Sequence, residues 1–263
     1  MSGLRLLYGE LEKLIEASES IPEVQRILSR VPESAQFTGT AWELSERMIQ
    51  SLSGGQKRAW NELLSLSKAG RSITRAVRTE SPSALGPVVS ELITENADLI
   101  KTVPHDLARR FSQMAAQAAS SGKTSEDILE DIKREAENLQ GWEAQRIART
   151  ETSKASTMLI QARAETLDLG FYIWRCVKDG RTRPAHRHMD GVICRWSDPP
   201  NPERLSKAKQ YGPYHPGCIF NCRCTPEVIV SLDEIAFPAK VHVNGRIVTV
   251  RSLRAFRKRF ELG

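Results

Sequence analysis

No segment of this 263-residue chain approaches the roughly 18 to 20 uncharged apolar residues that a helical membrane span needs, so no membrane partner is expected. The opening run, Met1-Ser-Gly-Leu-Arg-Leu-Leu-Tyr8, lacks the basic region, apolar core and small-residue cleavage site of a secretory signal, and cytosolic synthesis is expected. There is no internal repeat and no low-complexity tract, which argues against a solenoid or a biased tail. A disulfide framework is also missing: the five cysteines are odd in number and clustered rather than spread. Reduced thiols, some of them bound to metal, are the expected state. The first two thirds contain no group of polar residues at catalytic spacing.

What is present is a globular composition. Hydrophobic residues make up 40% of the chain and the mean hydropathy is −0.39, enough core for one large or two medium domains. Charge is unevenly placed. Residues 171–263 hold 17 Lys or Arg against 8 Asp or Glu, whereas residues 1–170 hold 21 against 24. The basic surplus belongs to the C-terminal part and suits a polyanion or an acidic protein surface, although a solvated face would look the same.

The first two thirds read as helix. Leu4, Leu7, Leu11 and Leu14-Ile15 recur at helical spacing, and Pro22 sits where a second helix can start. A stripe from Trp42 to Leu52 is expected to end at Gly54-Gly55, with a further helix running on to Gly70. Ser81-Pro82-Ser83 marks a turn before a helix through Val88 to Ile100. Pro104 is expected to begin another, and Ser125 to cap the next. A long helix is expected from Trp142 to Leu169, stopped by Gly170.

After Gly170 the pattern changes. Phe171 to Val177 is aromatic and β-branched, hence a strand. Residues 180–225 show no period, and a loop of that length needs something to hold it. Thr225 to Leu232 suits a strand that Pro226 confines to an edge or a strand start. Asn244-Gly245 between two apolar runs signals a hairpin, and Arg251, Arg254, Arg257, Lys258 and Arg259 lie on a final short helix. The expected fold class is α+β: a mainly α-helical N-terminal two thirds, then a small loop-rich mixed α/β module with a C-terminal β-hairpin, open to a zinc staple. The expected segments are 1–95, 96–230 and 231–263.

The holding device suggested by residue type is a metal. Cys218, Cys222 and Cys224 lie close together, His215 stands three residues before the first, and His186 arrives from a separate loop with His188. Zinc takes four thiolate or imidazole ligands, and residues i and i+2 of an extended segment project to one side. His186, His215, Cys218, Cys222 and Cys224 are therefore the candidate ligands; the alternative is that Cys176 and Cys194 are packing residues and that Cys222 or Cys224 is another. His186, His188 and Asp190 also admit a nuclease reading, a histidine acting as base and Asp190 holding a metal. Arg181, Arg183, Arg187 and Arg223, with Arg254 and Lys258 further on, are candidates for non-specific contact with DNA or an acidic partner.

The order of motifs carries a resemblance. Ile147-Ala-Arg149-Thr150-Glu151 with Ala155 is followed by Gly170, Trp174 and Asp179. Then come Arg181, Arg183, His186 and Met189-Asp190-Gly191, and finally His215-Pro-Gly217 and Asn221-Cys222-Arg223-Cys224. This resembles the phage head-morphogenesis family, the Mu F-type minor head proteins, over about residues 95–228. The resemblance implies a minor capsid component of a tailed phage or prophage, encoded beside the portal and incorporated in few copies. Its implied partners are the portal protein, a major capsid or scaffolding protein and DNA. Its implied place is the head interior or portal vertex of the virion, after assembly in the host cytoplasm. It implies no enzyme. Some relatives carry a toxin domain after this module, and the roughly 35 residues that follow Pro226 here are too few for one.

Overall fold

In the computed structural model, residues 2–66, 70, 73, 85–121, 123–137, 144–206 and 210–262 are described. The turn read at 81–83 and the helix start read at Trp142 lie outside them. The expected α+β class holds: a helical N-terminal part precedes a small five-stranded mixed sheet. The chain divides into two compact units, residues 1–50 with 90–151, and residues 51–89 with 152–263.

The first unit is built from helix faces. Helix α1 (Ser2–Glu16) buries Tyr8, Leu11 and Ile15, one turn apart, and α2 (Ile21–Arg30) buries Val24 and Leu28. Pro22 sits in the first turn of α2, where the missing N–H costs nothing. Helix α3 (Ala35–Leu66) and helix α4 (Gly86–Ser120) follow. Helix α5 (Ser125–Ala136) starts from a capping box in which Thr124, not Ser125, is the cap and exchanges hydrogen bonds with Asp127. Its Ile128, Ile132 and Ala136 join Leu107 and Phe111 of α4 in the core.

Two expected breaks are absent. Gly54-Gly55 lies inside α3, which runs on because Ile49 before it and Trp60 and Leu64 after it are buried. Pro104 does not begin a helix but sits inside α4. The lost hydrogen bond is offset by burial of Val103, Leu107 and Phe111 around it. In both places tertiary packing overrides a local propensity of roughly 1 to 3 kcal/mol.

The second unit carries the sheet. Helix α6 (Ala144–Thr166) stops earlier than expected, and the chain turns through Asp168 at φ 56° rather than at Gly170. Strand β1 (Phe171–Arg175) pairs antiparallel with β2 (Ile193–Arg195) and with β3 (Thr225–Val228). Strand β2 pairs parallel with β4 (Ala239–Val243), which forms a hairpin with β5 (Arg246–Val250), giving the order β3-β1-β2-β4-β5. Pro226 thus lies on an edge strand.

Alternation along β1 supplies two apolar layers. Tyr172 and Trp174 enter one cluster with Met189, Val192, Cys222 and Cys224. Phe171 enters the other with Val241, Val250 and Phe256, the latter from helix α9 (Leu253–Phe260). The aperiodic stretch after β1 holds two short helices, α7 (Pro184–Met189) and α8 (Pro202–Leu205), besides β2.

Candidate metal centre

His186 is buried in the middle of α7, beneath the end of β1, with the indole of Trp174 edge-on at 5.7 Å between ring centroids. Its Nδ1 lies 3.5 Å from Cys222 Sγ and 3.5 Å from Cys224 Sγ. The donor atoms of these three residues all fall within 4.8 Å of one another, and all three are buried. They can hold a metal ion.

The cysteine pair is presented by the segment that enters β3. Asn221 turns the chain at φ 55°, and the Cys222 amide closes the turn on Ile219 O at 3.0 Å. Burial then alternates: Cys222 and Cys224 point inward while Arg223 points away. Arg223 meets Asp179 through both terminal nitrogens, at 2.7 and 2.6 Å, which fixes the segment from outside. That guanidinium, helped by the Arg181 amide, holds the Asp179 carboxyl well below the usual carboxylate range. Gly217 N donates to Cys222 Sγ at 3.3 Å.

Behind the imidazole runs a buried chain of polar groups. The Tyr214 hydroxyl lies 2.9 Å from His186 Nε2 and donates to Glu203 Oε1 at 2.6 Å. Glu203 and His186 are each 2% exposed. A phenol has one proton to give. With that proton directed at Glu203, Tyr214 accepts from Nε2–H, and Nδ1 is left as a bare lone pair aimed at the sulfurs. Burial, followed by the Glu203 carboxylate, pushes the Tyr214 phenol far above its ordinary value, so the donor keeps its proton.

The thiols are not equivalent. The hydrogen bond from Cys224 holds Cys222 down at about 4. Cys224 is pushed up by its bonds to Cys176 and Cys222.

Of the five ligands expected from sequence, the structure brings together His186, Cys222 and Cys224. His215 and Cys218 stand elsewhere. His215 Nδ1 lies 3.0 Å from the Tyr172 hydroxyl, and Cys218 is half-buried against the core. Sequence reasoning missed Cys176, whose Sγ is 3.4 Å from Cys224 Sγ. It stands 46 positions before Cys222 in the chain, and no spacing rule connects them.

The other motif residues have structural partners. Asp190 Oδ1 accepts from the Cys176 amide at 3.0 Å, and Gly191 N donates to Trp174 O at 2.9 Å. The Asp-Gly pair is thus a clasp that ties the end of α7 to the end of β1. His188 is exposed. The sharp turn of His215-Pro-Gly217 rests on α6, where Thr157 Oγ1 donates to Pro216 O at 2.6 Å.

The candidate arginines divide into two groups. Arg183 donates to Phe220 O at 2.8 Å, Arg187 to Thr182 O at 3.1 Å, Arg223 is paired with Asp179, and Arg181 lies 3.5 Å from Asp179. Arg254 and Lys258 are exposed on α9, whose inner face is anchored by Phe256 against Phe171 at 5.1 Å.

Residues 109–227 match the family described as Phage Mu protein F like protein. Over that span the chain is similar to the Mu F-type proteins that its motifs resemble. An uncharacterized protein of Haemophilus influenzae is 30% identical over 146 residues. That match covers 56% of this chain and 30% of the relative's length. No solved structure matches. Among the described residues no helix is long and apolar enough to cross a membrane.

Proposed function

We propose that the protein is a minor capsid component of a tailed-phage or prophage head. It associates with the portal and the inner capsid and contacts packaged DNA without sequence readout. The observation that carries this reading is the family match over residues 109–227. The basic outer face of α9 supports the DNA contact, since Arg254, Arg257, Lys258 and Arg259 are all exposed. Residues 96–230 act as the head-morphogenesis domain, preceded by a helical region over 1–95 and followed by the hairpin and basic helix over 231–263. Head assembly places the protein in the virion, at the portal vertex or head interior.

The metal in this reading is zinc. A tetrahedral zinc with Zn–S of about 2.3 Å and Zn–N of about 2.0–2.1 Å holds nitrogen and sulfur about 3.5 Å apart. His186 Nδ1 meets that distance to both Cys222 and Cys224. The role is structural. It pins an otherwise aperiodic loop, and the site belongs to a protein that is not an enzyme. A nuclease built on His186 and Asp190 has poor support, because His186 is turned onto the sulfurs and Asp190 onto the Cys176 amide.

The test is assembly. The protein should co-purify with procapsids and bind purified portal protein. A deletion strain that yields normal numbers of infectious particles would remove the capsid role. Plasmid cleavage in magnesium, manganese or zinc, lost in His186→Ala, would restore the enzyme.

A further inference from the structure

We infer that Cys176 is the fourth ligand, so that Cys176, His186, Cys222 and Cys224 form a closed Cys3His zinc centre. The inference rests on the metal reading above and gives it a complete donor set. Three protein donors alone leave a zinc position to water, as in catalytic sites, whereas structural sites fill all four.

The other nearby donors are committed elsewhere. Glu203 lies on the far side of the imidazole, 3.7 Å from Nε2, and accepts the hydrogen bond from Tyr214. Asp190 accepts from the Cys176 amide. His215 is held by Tyr172. Cys176 alone of these places its donor atom against the cluster, 3.4 Å from Cys224 Sγ. Two sulfurs on one tetrahedral zinc stand about 3.8 Å apart, so that contact suits a shared ion.

Cys176 is not yet inside the tight set formed by the other three. The reason is visible. Its thiol donates to His186 O at 2.8 Å, which turns the sulfur toward the α7 backbone. Zinc takes thiolate, and ligation expels that proton. A thiolate has nothing to donate, so the bond to His186 O is lost and the sulfur is released toward the ion. The main chain stays in place, because the Asp190 carboxylate still holds the Cys176 amide. The centre then joins the end of β1, α7 and the entry to β3. It also gives the Asp190-Gly191 pair a role in the metal site, as a positioning clasp for a ligand-bearing backbone.

X-ray absorption on the full-length protein, reduced and reconstituted with zinc, tests this without any substitution. Three sulfurs at about 2.3 Å and one nitrogen at about 2.0 Å are expected. Two sulfurs and two light atoms would overturn the role of Cys176 while leaving the metal reading intact. Failure of the reduced protein to take up zinc would remove the metal reading itself. Cys176→Ser should drop the sulfur shell from three to two and weaken zinc binding in chelator competition by at least tenfold. Cys218→Ser should change neither. A Cys176→Ser protein with the wild-type sulfur count would also overturn the inference.

Discussion

Asp179 and Arg223 form a two-point ion pair, 2.7 and 2.6 Å, across the outside of the Cys222–Cys224 segment. Arg223 is the residue between the two buried sulfurs, so its outward anchor sets their inward aim. Asp179→Asn should weaken metal binding about tenfold, as loss of an outer partner does. Arg223→Lys should behave similarly, since an ammonium cannot supply the planar fork. Zinc affinity by chelator competition is the measurement, and unchanged affinity in both variants would show that the pair is ornamental. The Asp179 carboxyl is depressed in the fold, so its contribution is present above the ordinary carboxylate range and fades as pH falls below it.

Gly217 stands at φ +86°, and a Cβ there would meet Thr157 Oγ1 at 2.7 Å and Ser153 O at 2.9 Å. Gly191 stands at φ +80° with nothing within 4 Å of its Cβ position. Gly191→Ala should therefore cost only the left-handed backbone penalty, about 1–2 kcal/mol. Gly217→Ala should cost more, about 2–4 kcal/mol, because backbone on α6 must also move. Urea denaturation of the two variants checks the order, and a reversed order would show that the turn does not bear on α6 as described.

The parts of this fold that sequence announces are those with local causes. Pro22 and Asn244-Gly245 each set an element boundary within a few residues, and the structure has both, while the cap read at Ser125 falls one residue earlier, on Thr124. Gly54-Gly55 and Pro104 misled because burial of residues on either side outweighs what they cost locally. Of the candidate ligands, the sequence points to His186, Cys222 and Cys224, which the structure gathers into one group. Cys222 and Cys224 declare themselves by i, i+2 spacing, and His186 by its place in the motif. Cys218 is near in sequence but packs against the core outside that group, whereas Cys176 comes near Cys224 only once β1 and β3 have paired. Strand pairing is non-local, and no spacing rule encodes it.

His215 is half-buried against Tyr172 and Trp196, and its desolvation pushes the imidazole down to about 4. It is neutral in the fold, with its Nδ1 3.0 Å from the Tyr172 hydroxyl. A histidine with a lowered folded pKa binds protons sooner in the unfolded chain, so stability is full above about pH 6.5 and declines as pH falls toward about 4. His215→Gln keeps a polar group there but cannot titrate. The stability difference between wild type and variant should shift by about 2–3 kcal/mol over that interval. Parallel pH profiles for the two proteins would show that His215 is not the group responsible.

Arg254 and Lys258 project from α9 into solvent, one turn apart. If α9 touches DNA, Arg254→Ala with Lys258→Ala should weaken duplex binding and lower the salt slope of log affinity by about two. Thermal stability should not change, because neither side chain is part of the core. Equal slopes for wild type and double variant across a salt series would move DNA contact away from this helix.

The chain from His186 through Tyr214 to Glu203 makes the sharpest prediction. Tyr214 is the link that places a proton on Nε2 and leaves Nδ1 bare. Tyr214→Phe removes the hydroxyl while keeping the ring, so packing against Trp174 survives. Two losses should follow. The imidazole is freed to adopt either tautomer, and zinc affinity should fall about 10–100-fold. Glu203, already carrying one buried oxygen with no partner among the described residues, loses its bond on the other, and stability should fall by about 1–3 kcal/mol. Glu203→Gln separates the two effects. A neutral amide can still accept from Tyr214, so the tautomer is kept while the charge is gone. Affinity near wild type in Glu203→Gln and much weaker in Tyr214→Phe would assign the role to proton placement. Equal losses in both would assign it to the buried charge, and no loss in either would mean that His186 needs no support from behind.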